Sequence, residues 1–390
     1  MKLFQRLLVA PATLGLLAPI AANATDINMD VISNYYSNSE LEITSDTFKP
    51  TTTNKSLLIS GGEGLVDSHD HGSDAFSSTT SASFSVDMLI GAVDGATATD
   101  DTLDAQNINA TYGYQIDLST SFTGEDSLDV SIDAGSSGTT LGELDLNSGG
   151  DTLTVDGVSY TFPLGDKITA FVGDNMDGST LYSTACVYGG VTTTLDDCGN
   201  ASSAMAAGYG TAMGASFDIG GGFTGAIGYE GNGSDQKGLF TKEGLDSYGA
   251  QLSYGADSYG ASVTYNITET SSTAETTYVG LNGYWTPEGG NLPSISVGLE
   301  TGDPSTAGAK DTTHYFVGLQ WDEVGAGTLG VAAGTADPTE DDASDLMMYE
   351  AFYSYPVNDG LTITPIVFVE EKASGTDDLT GIAVKASFSF

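Results

Sequence analysis

From Ile382 to the end of the chain, apolar and polar residues change places at every step. Ile382, Val384, Ala386, Phe388 and Phe390 share one face of an extended segment, and Ala383, Lys385, Ser387 and Ser389 share the other. Period-two alternation predicts a strand with one apolar and one wet side. The pattern recurs upstream. Ile108, Ala110, Tyr112, Tyr114, Ile116 and Leu118 oppose Asn109, Thr111, Gly113, Gln115 and Asp117, and Tyr315, Val317, Leu319 and Trp321 oppose His314, Phe316, Gly318 and Gln320. Read back from the end, strands are predicted at roughly 380–390, 361–370, 346–355, 327–335, 312–321, 293–301, 275–285 and 259–268. Others follow near 247–255, 222–230, 211–219, 166–173, 154–162, 127–134, 107–118 and 82–91. That is about sixteen, and an even number is what a single-chain bacterial barrel requires.

The connections separate by parity. Those at 356–360, 322–326, 255–258 and 163–165 are short and rich in Pro, Gly, Asn and Asp. The intervening ones, at 92–106, 135–153, 231–246, 302–311, 336–345 and 371–379, are longer, with 269–274 the short exception. A sandwich has no reason to sort its connections this way, whereas a barrel with turns at one end and loops at the other does. The predicted fold is therefore all-β, a transmembrane antiparallel β-barrel of about 16 strands over 76–390.

The N-terminal end points to export. Lys2 and Arg6 form a positive n-region, Leu7–Ile20 a short apolar stretch, and Ala22-Asn23-Ala24 a small-x-small cleavage site, so 1–24 reads as a signal peptide. Residues 25–75 form a polar N-terminal segment. No stretch is apolar for long enough to make a spanning helix. The 51 Gly and 19 Tyr suit strands and turns. Charge is the unusual bulk property: 53 acidic against 10 basic residues, a formal net charge of −43. Loss of Lys2 and Arg6 with the leader leaves 8 bases, all Lys, and −45. Such a chain cannot neutralise phosphates, which excludes nucleic acid as a partner. Two readings of the acidity stand: solubility in salty surroundings, or a pore with negative walls.

Candidate chemistry is sparse. Cys186 and Cys198 lie in the longest connection, near 174–210, and in an oxidising compartment they are expected to form a disulfide. It either stiffens a constriction or staples an external loop. His69-Asp70-His71 has ligand types for Zn or Cu, but an isolated triplet in a Gly-rich stretch is a weak metal candidate. Asp100-Asp101, Asp196-Asp197 and Glu340-Asp341-Asp342 read as solvated loop charge, or as loose cation sites at the mouth. No nucleophile elbow, phosphate loop or zincin motif occurs, so no catalytic residue and no cofactor are expected.

Several segments, in order, carry a resemblance. They are the leader Met1–Ala12, Phe76-Ser-Ser-Thr-Thr80, Ile90-Gly-Ala-Val-Asp-Gly95, Leu118–Leu128, Tyr160-Thr-Phe-Pro-Leu-Gly-Asp166 and Tyr355–Pro365. Together they resemble the barrel portion of cyanobacterial outer-membrane porins, relatives of the carbohydrate-selective porins. The larger members begin with an S-layer-homology domain and a coiled coil; residues 25–75 hold neither pattern, so no anchoring role carries over. The resemblance implies a homotrimeric, water-filled diffusion channel in the cell outer membrane of a Gram-negative-type bacterium, inserted by the barrel-assembly machinery. In general porins the loop corresponding to 174–210 folds inward and narrows the channel.

On that reading Asp117, Asp129, Asp133 and Glu300, with Asp174, Asp177, Asp196 and Asp197 in the long loop, are the expected pore-lining or mouth acids. Lys385 is the expected pore-lining base, and Phe388 and Phe390 the insertion signal. With no Arg and few Lys the usual field of opposed charges cannot be built, and cation preference follows. The rival is a secreted acidic β protein, an adhesin or a calcium-binding surface protein.

Overall fold

Strands rich in Tyr, Thr, Val and Gly fit a pleated surface that is greasy on one side only. The computed structural model describes residues 79–95, 107–136, 141, 144, 146, 150–200, 203–205, 207–233, 237–289, 292–373 and 377–389. The expectations for 1–24, 25–75, His69, His71 and Phe390 lie outside them.

The first strands are β1 (Thr80–Asp94), β2 (Asn109–Thr120), β3 (Ser127–Gly135), β4 (Thr154–Pro163), β5 (Ile168–Asp174) and β6 (Thr211–Gly220). Next come β7 (Phe223–Gly231), β8 (Asp246–Gly255), β9 (Tyr259–Ser271), β10 (Ala274–Trp285), β11 (Ser294–Pro304) and β12 (Thr312–Val324). The last are β13 (Gly327–Thr335), β14 (Thr339–Glu340), β15 (Met347–Asn358), β16 (Leu361–Glu370) and β17 (Leu379–Ser389). Each wall strand is antiparallel to its neighbours, and β17 returns to β1 over ten residue pairs, Ser85↔Ser389 to Asp94↔Thr380. The sheet closes on itself, which leaves no edge. Sixteen strands make the wall. The extra β14 is a two-residue strand that caps the end of β12 through Thr312↔Glu340 and Thr313↔Thr339.

Sequence and structure agree on each wall strand and differ by a few residues at the ends of most. β12 runs on to Val324 and β9 to Ser271, past the predicted 321 and 268. Alternation of apolar and polar residues reports only the part of a strand that crosses the apolar belt, whereas the hydrogen-bond ladder continues beyond it. The 269–274 connection tightens further, to residues 272–273. At the short-turn end the one long connection is 286–293, between β10 and β11.

The β2–β3 turn shows how the short end is fixed. Asp126 Oδ1 accepts hydrogen bonds from Ser121 Oγ (2.8 Å), Phe122 N (2.9 Å), Thr123 N (2.8 Å) and Thr123 Oγ1 (2.8 Å). Its Oδ2 accepts from Tyr160 Oη at 2.6 Å. The Tyr160 bond foremost, helped by those from Thr123 and Ser121, holds this carboxyl well below the ordinary carboxylate range. A depressed folded pKa stabilises the turn above the unfolded value, and the stabilisation is lost as pH falls through the folded one. The unfolding-midpoint difference between wild type and Asp126→Asn is therefore expected to be flat above about pH 4 and to close on further acidification. A difference that widened with acid would contradict this.

Candidate functional site

Parity assigns every wall residue a side. On β9, Val263 and Tyr265 are exposed while Ser262, Thr264 and Asn266 are buried. On β11, Val297 and Leu299 are exposed while Ser296, Gly298 and Glu300 are buried. Large apolar side chains thus point away from the enclosed side, and Met88, Ile90, Ile227, Leu252, Leu281, Val367 and Ile382 continue the band. Outward-pointing aromatics lie toward both rims of the band. Phe223–Tyr254 and Tyr254–Tyr259, with ring centroids 4.8 and 6.0 Å apart, lie at the short-turn end; Tyr229–Tyr248, at 5.4 Å, lies at the loop end. An apolar belt between aromatic girdles is the outer surface of a barrel that sits in a bilayer.

Many of the wall-strand acids face inward. They include Asp87, Asp117, Asp129 and Asp133 on β1 to β3, Asp156 on β4, Asp218 on β6, and Glu230, Glu300, Glu350 and Glu370 on later strands. Lys385 is the one Lys or Arg in any wall strand, and it too points inward.

The described residues of the chain between β5 and β6, 175–200, 203–205 and 207–210, lie on the inner wall. From 183 to 189 every second backbone N–H is handed to a different wall strand. Ser183 N donates to Gln251 Oε1 on β8 (2.7 Å) and Ala185 N to Ser262 Oγ on β9 (3.0 Å). Val187 N donates to Ser296 Oγ on β11 (3.0 Å) and Gly189 N to Gln320 Oε1 on β12 (3.0 Å). A strand-like stretch thereby satisfies on its wall side the donors that burial would otherwise orphan. Its two ends meet at Glu230, whose Oε2 accepts from Gly178 N (3.4 Å) and whose Oε1 accepts from Tyr209 N (2.6 Å).

The far tip is held by Glu350 on β15. Its Oε1 accepts from Tyr188 Oη (2.7 Å) and Val191 N (3.2 Å), and its Oε2 from Thr192 N (2.9 Å) and Thr192 Oγ1 (2.5 Å). Burial first, and then the Glu350 charge, push the Tyr188 hydroxyl well above its usual pKa, so it remains a donor. Cys186 and Cys198 are bonded to each other, with Cα atoms 6.5 Å apart. The ring they close contains Tyr188, Val191, Thr192 and Leu195, the part of the loop that reaches Glu350.

Two features of the wall make room. A Cβ at Gly298 would fall on the carbonyl oxygen of Cys198, and one at Gly228 on that of Gly178. Beside these, the inward faces of β12 to β17 and β1 depart from the expected polar lining. Phe316, Met348, Phe352, Ile366, Phe368, Leu89 and Val93 point in and are buried, in one cluster with Tyr188, Val191 and Leu195 of the long loop. Leu141, Leu144 and Leu146 of the β3–β4 connection join them. The apolar residues are inside because two loops cover them.

The expected site residues divide accordingly. Asp117, Asp129 and Asp133 lie together on the β2–β3 wall; Asp117 accepts from Gln115 Nε2 (2.7 Å) and Ser131 Oγ (2.6 Å), and Asp133 accepts from Thr154 Oγ1. Glu300 faces inward too, but the loop covers it: it is 3% exposed and its Oε2 accepts from Ser203 N at 2.6 Å. It is an anchor rather than a wetted wall. Asp174 is the last residue of β5 rather than part of the loop, on the outward parity of Val172, and accepts from Thr211 Oγ1 (2.9 Å). Asp177, Asp196 and Asp197 belong to the folded-in loop, Asp197 buried in it. Phe388 points outward opposite Val86 and Leu361. Sequence reading passed over Glu230 and Glu350. The signal for Glu350 was there, an acid on the inward parity between Met348 and Phe352.

No family model matches the chain, and no curated protein matches it in sequence. Solved structures do. OprB of Pseudomonas putida, in its high-pH structure, superimposes with a TM-score of 0.57 at 14% identity, over 80% of this chain and 94% of that one. OmpT of Vibrio cholerae, an outer membrane protein lacking loop L8, gives 0.55 at 10% identity, over 80% and 100%. An anion-selective porin from Comamonas acidovorans gives 0.55 at 12% identity, over 80% and 99%. At such identities the likeness establishes the fold, that of an outer-membrane porin barrel.

Proposed function

We propose that this chain is an outer-membrane porin that passes small hydrophilic solutes and ions by diffusion, with a preference for cations. The observation that carries the preference is the inward charge: Lys385 is the sole base of the wall strands, set against inward acids on β1 to β4, β6 and β7 and against loop-covered ones on β11 and β15. A lumen lined by one sign of charge concentrates the opposite ion, as charged rings do in channel filters. The long loop against the β7–β15 wall leaves Asp87, Asp117, Asp129 and Asp218 on the opposite arc to act on what passes.

The wider setting follows from the same reading. The 1–24 leader would export the chain, and the terminal strand with Phe388 and Phe390 would present it to the barrel-assembly machinery. The finished barrel would sit among outer-membrane lipids as a homotrimer of the cyanobacterial type that its motifs resemble. The belt of exposed apolar residues argues against a secreted acidic surface protein. Reversal potentials in planar bilayers under a KCl gradient test the central claim. The expected sign is that of potassium preference; a chloride-selective potential would overturn it, and an absence of conductance would overturn the channel itself.

A further inference from the structure

The acids of the β2–β4 arc carry more structure than a diffuse negative wall needs. Gln115 on β2 is directly opposite Asp133 on β3, and Asp117 is opposite Ser131. The β3–β4 register then slips: Ser131 pairs with Gly157 and Ile132 with Val155, so Asp156 is the extra residue of a bulge. The bulge turns Asp156 inward. It is 2% exposed, and the acids whose charges act on it are Asp133, Asp117 and Asp177. Directly opposed and diagonal side chains of neighbouring strands lie about 5–8 Å apart, which brings these carboxylates into one patch.

Among the described residues no Lys or Arg is paired with the patch. The hydrogen bonds that Asp117 and Asp133 accept come from neutral groups, Gln115, Ser131 and Thr154. Lys385 is level with Leu89 on β1 and so with Thr111 on β2, four residues from Gln115 and six from Asp117, about 13 Å or more along the strand, which is beyond pairing distance. Two oxygens in the patch also have no donor at all. Gln115 gives its amide nitrogen to Asp117, and its Oε1, on a side chain 1% exposed, accepts nothing; Asp156 Oδ1 accepts nothing either. Buried acceptors are ordinarily satisfied, and an orphaned amide oxygen beside carboxylates is a lone pair that a cation can use.

We propose that Gln115, Asp117, Asp133 and Asp156 bind a hydrated divalent cation of the hard, oxygen-seeking class to which calcium and magnesium belong. Amide and carboxylate oxygens are the ligands that class selects. Among the described residues no group of three or more His, Cys, Asp or Glu is placed to hold a metal ion by itself. The ion is therefore held partly through its own water, and exchanges with the lumen. The site deepens the reading of the barrel as a cation-preferring channel and rests on it for its consequence: a resident divalent ion there opposes the passage of monovalent cations.

Single channels of the refolded full-length protein in KCl are titrated with CaCl2. Wild-type current is expected to fall with a midpoint of about 0.1–1 mM, the range of weak oxygen sites. Asp133→Asn with Asp156→Asn should raise that midpoint about tenfold or more, a loss of about 1.4 kcal/mol of affinity per tenfold. Gln115→Leu changes no charge and should still weaken the block, whereas Asp129→Asn, an inward acid whose Oδ1 accepts from Ser127 Oγ at 2.7 Å, should leave it unchanged. A current indifferent to 10 mM CaCl2, roughly ten times the upper end of that range, or a midpoint that Asp129→Asn moves as far as the double variant does, would overturn the site. Terbium luminescence of the refolded barrel in detergent reads the site without conduction. Terbium bound by wild type and lost in the double variant supports the site even if the protein does not conduct, an outcome that defeats only the channel reading. No terbium bound by wild type defeats the site whatever the conductance.

Discussion

Glu350→Gln is expected to unlatch the tip of the inward loop and enlarge the channel. Each carboxylate oxygen of Glu350 accepts two hydrogen bonds, and all four donors belong to residues 188–192. An amide keeps the shape but exchanges one oxygen for a donor. Rotating it by half a turn does not help, because both positions face two donors. Two bonds become donor-against-donor contacts and the other two lose their charge assistance, for a cost of roughly 3–5 kcal/mol in loop docking. The wall should survive, since β15 keeps its pairing with β13 and β16. Single-channel records should show a larger and noisier conductance than wild type. Chymotrypsin should begin to cut after Tyr188, which is now 6% exposed. Conductance and cleavage both matching wild type would mean that Glu350 is not the latch. Asp129→Asn, on the opposite arc, serves as the control for cleavage after Tyr188.

The contrast between Asp129 and Glu350 also marks how far the sequence could be read. The β16 span of 361–370 and the β13 span of 327–335 were legible to the residue, because alternation, turn residues and strand length agree there. So was the inward parity of Asp117, Asp129, Asp133 and Lys385, which needs only counting by two. What each inward acid does was not legible. Glu300 and Asp117 share a parity and a residue class, yet one is covered by Ser203 and the other stays on the arc away from the loop. The difference lies in contacts such as that of Glu350 with Thr192, 158 residues apart in the chain. The apolar interior was hidden for the same reason. Phe316, Ile366 and Phe368 look out of place on a wetted wall until two loops are laid over them. The Asp156 bulge is a third case: one residue inserted in a weakly alternating strand disturbs the count that would have placed it.

Gly298→Val should have an effect as large as the loss of Glu350, by a different physical route. Valine suits a strand better than glycine does, so the local preference of β11 for its extended form improves. The added side chain, however, projects inward between Ser296 and Glu300, where the Cys198 carbonyl and the Asn282 amide already lie. Ordinary overpacking of a core costs roughly 1–3 kcal/mol because neighbouring side chains can yield. Here the obstacle is backbone, itself held by Asn282 Nδ2 on Cys198 O at 2.9 Å, and it cannot yield without leaving the wall. The disulfide then decides how much leaves. Cys198 is tied to Cys186, so displacement at 198 should lift the whole 186–198 ring, Tyr188 and Thr192 with it, and break the Glu350 contacts at a distance. In the oxidised protein, Gly298→Val should therefore raise conductance and expose Tyr188 to chymotrypsin as fully as Glu350→Gln does. With Cys186→Ser and Cys198→Ser added, the 198–203 side should be released while Glu350 keeps its grip on the tip, and cleavage after Tyr188 should fall back toward the wild-type rate. If it stays high, the bridge does not couple the two anchors, and the ring is not the unit that moves.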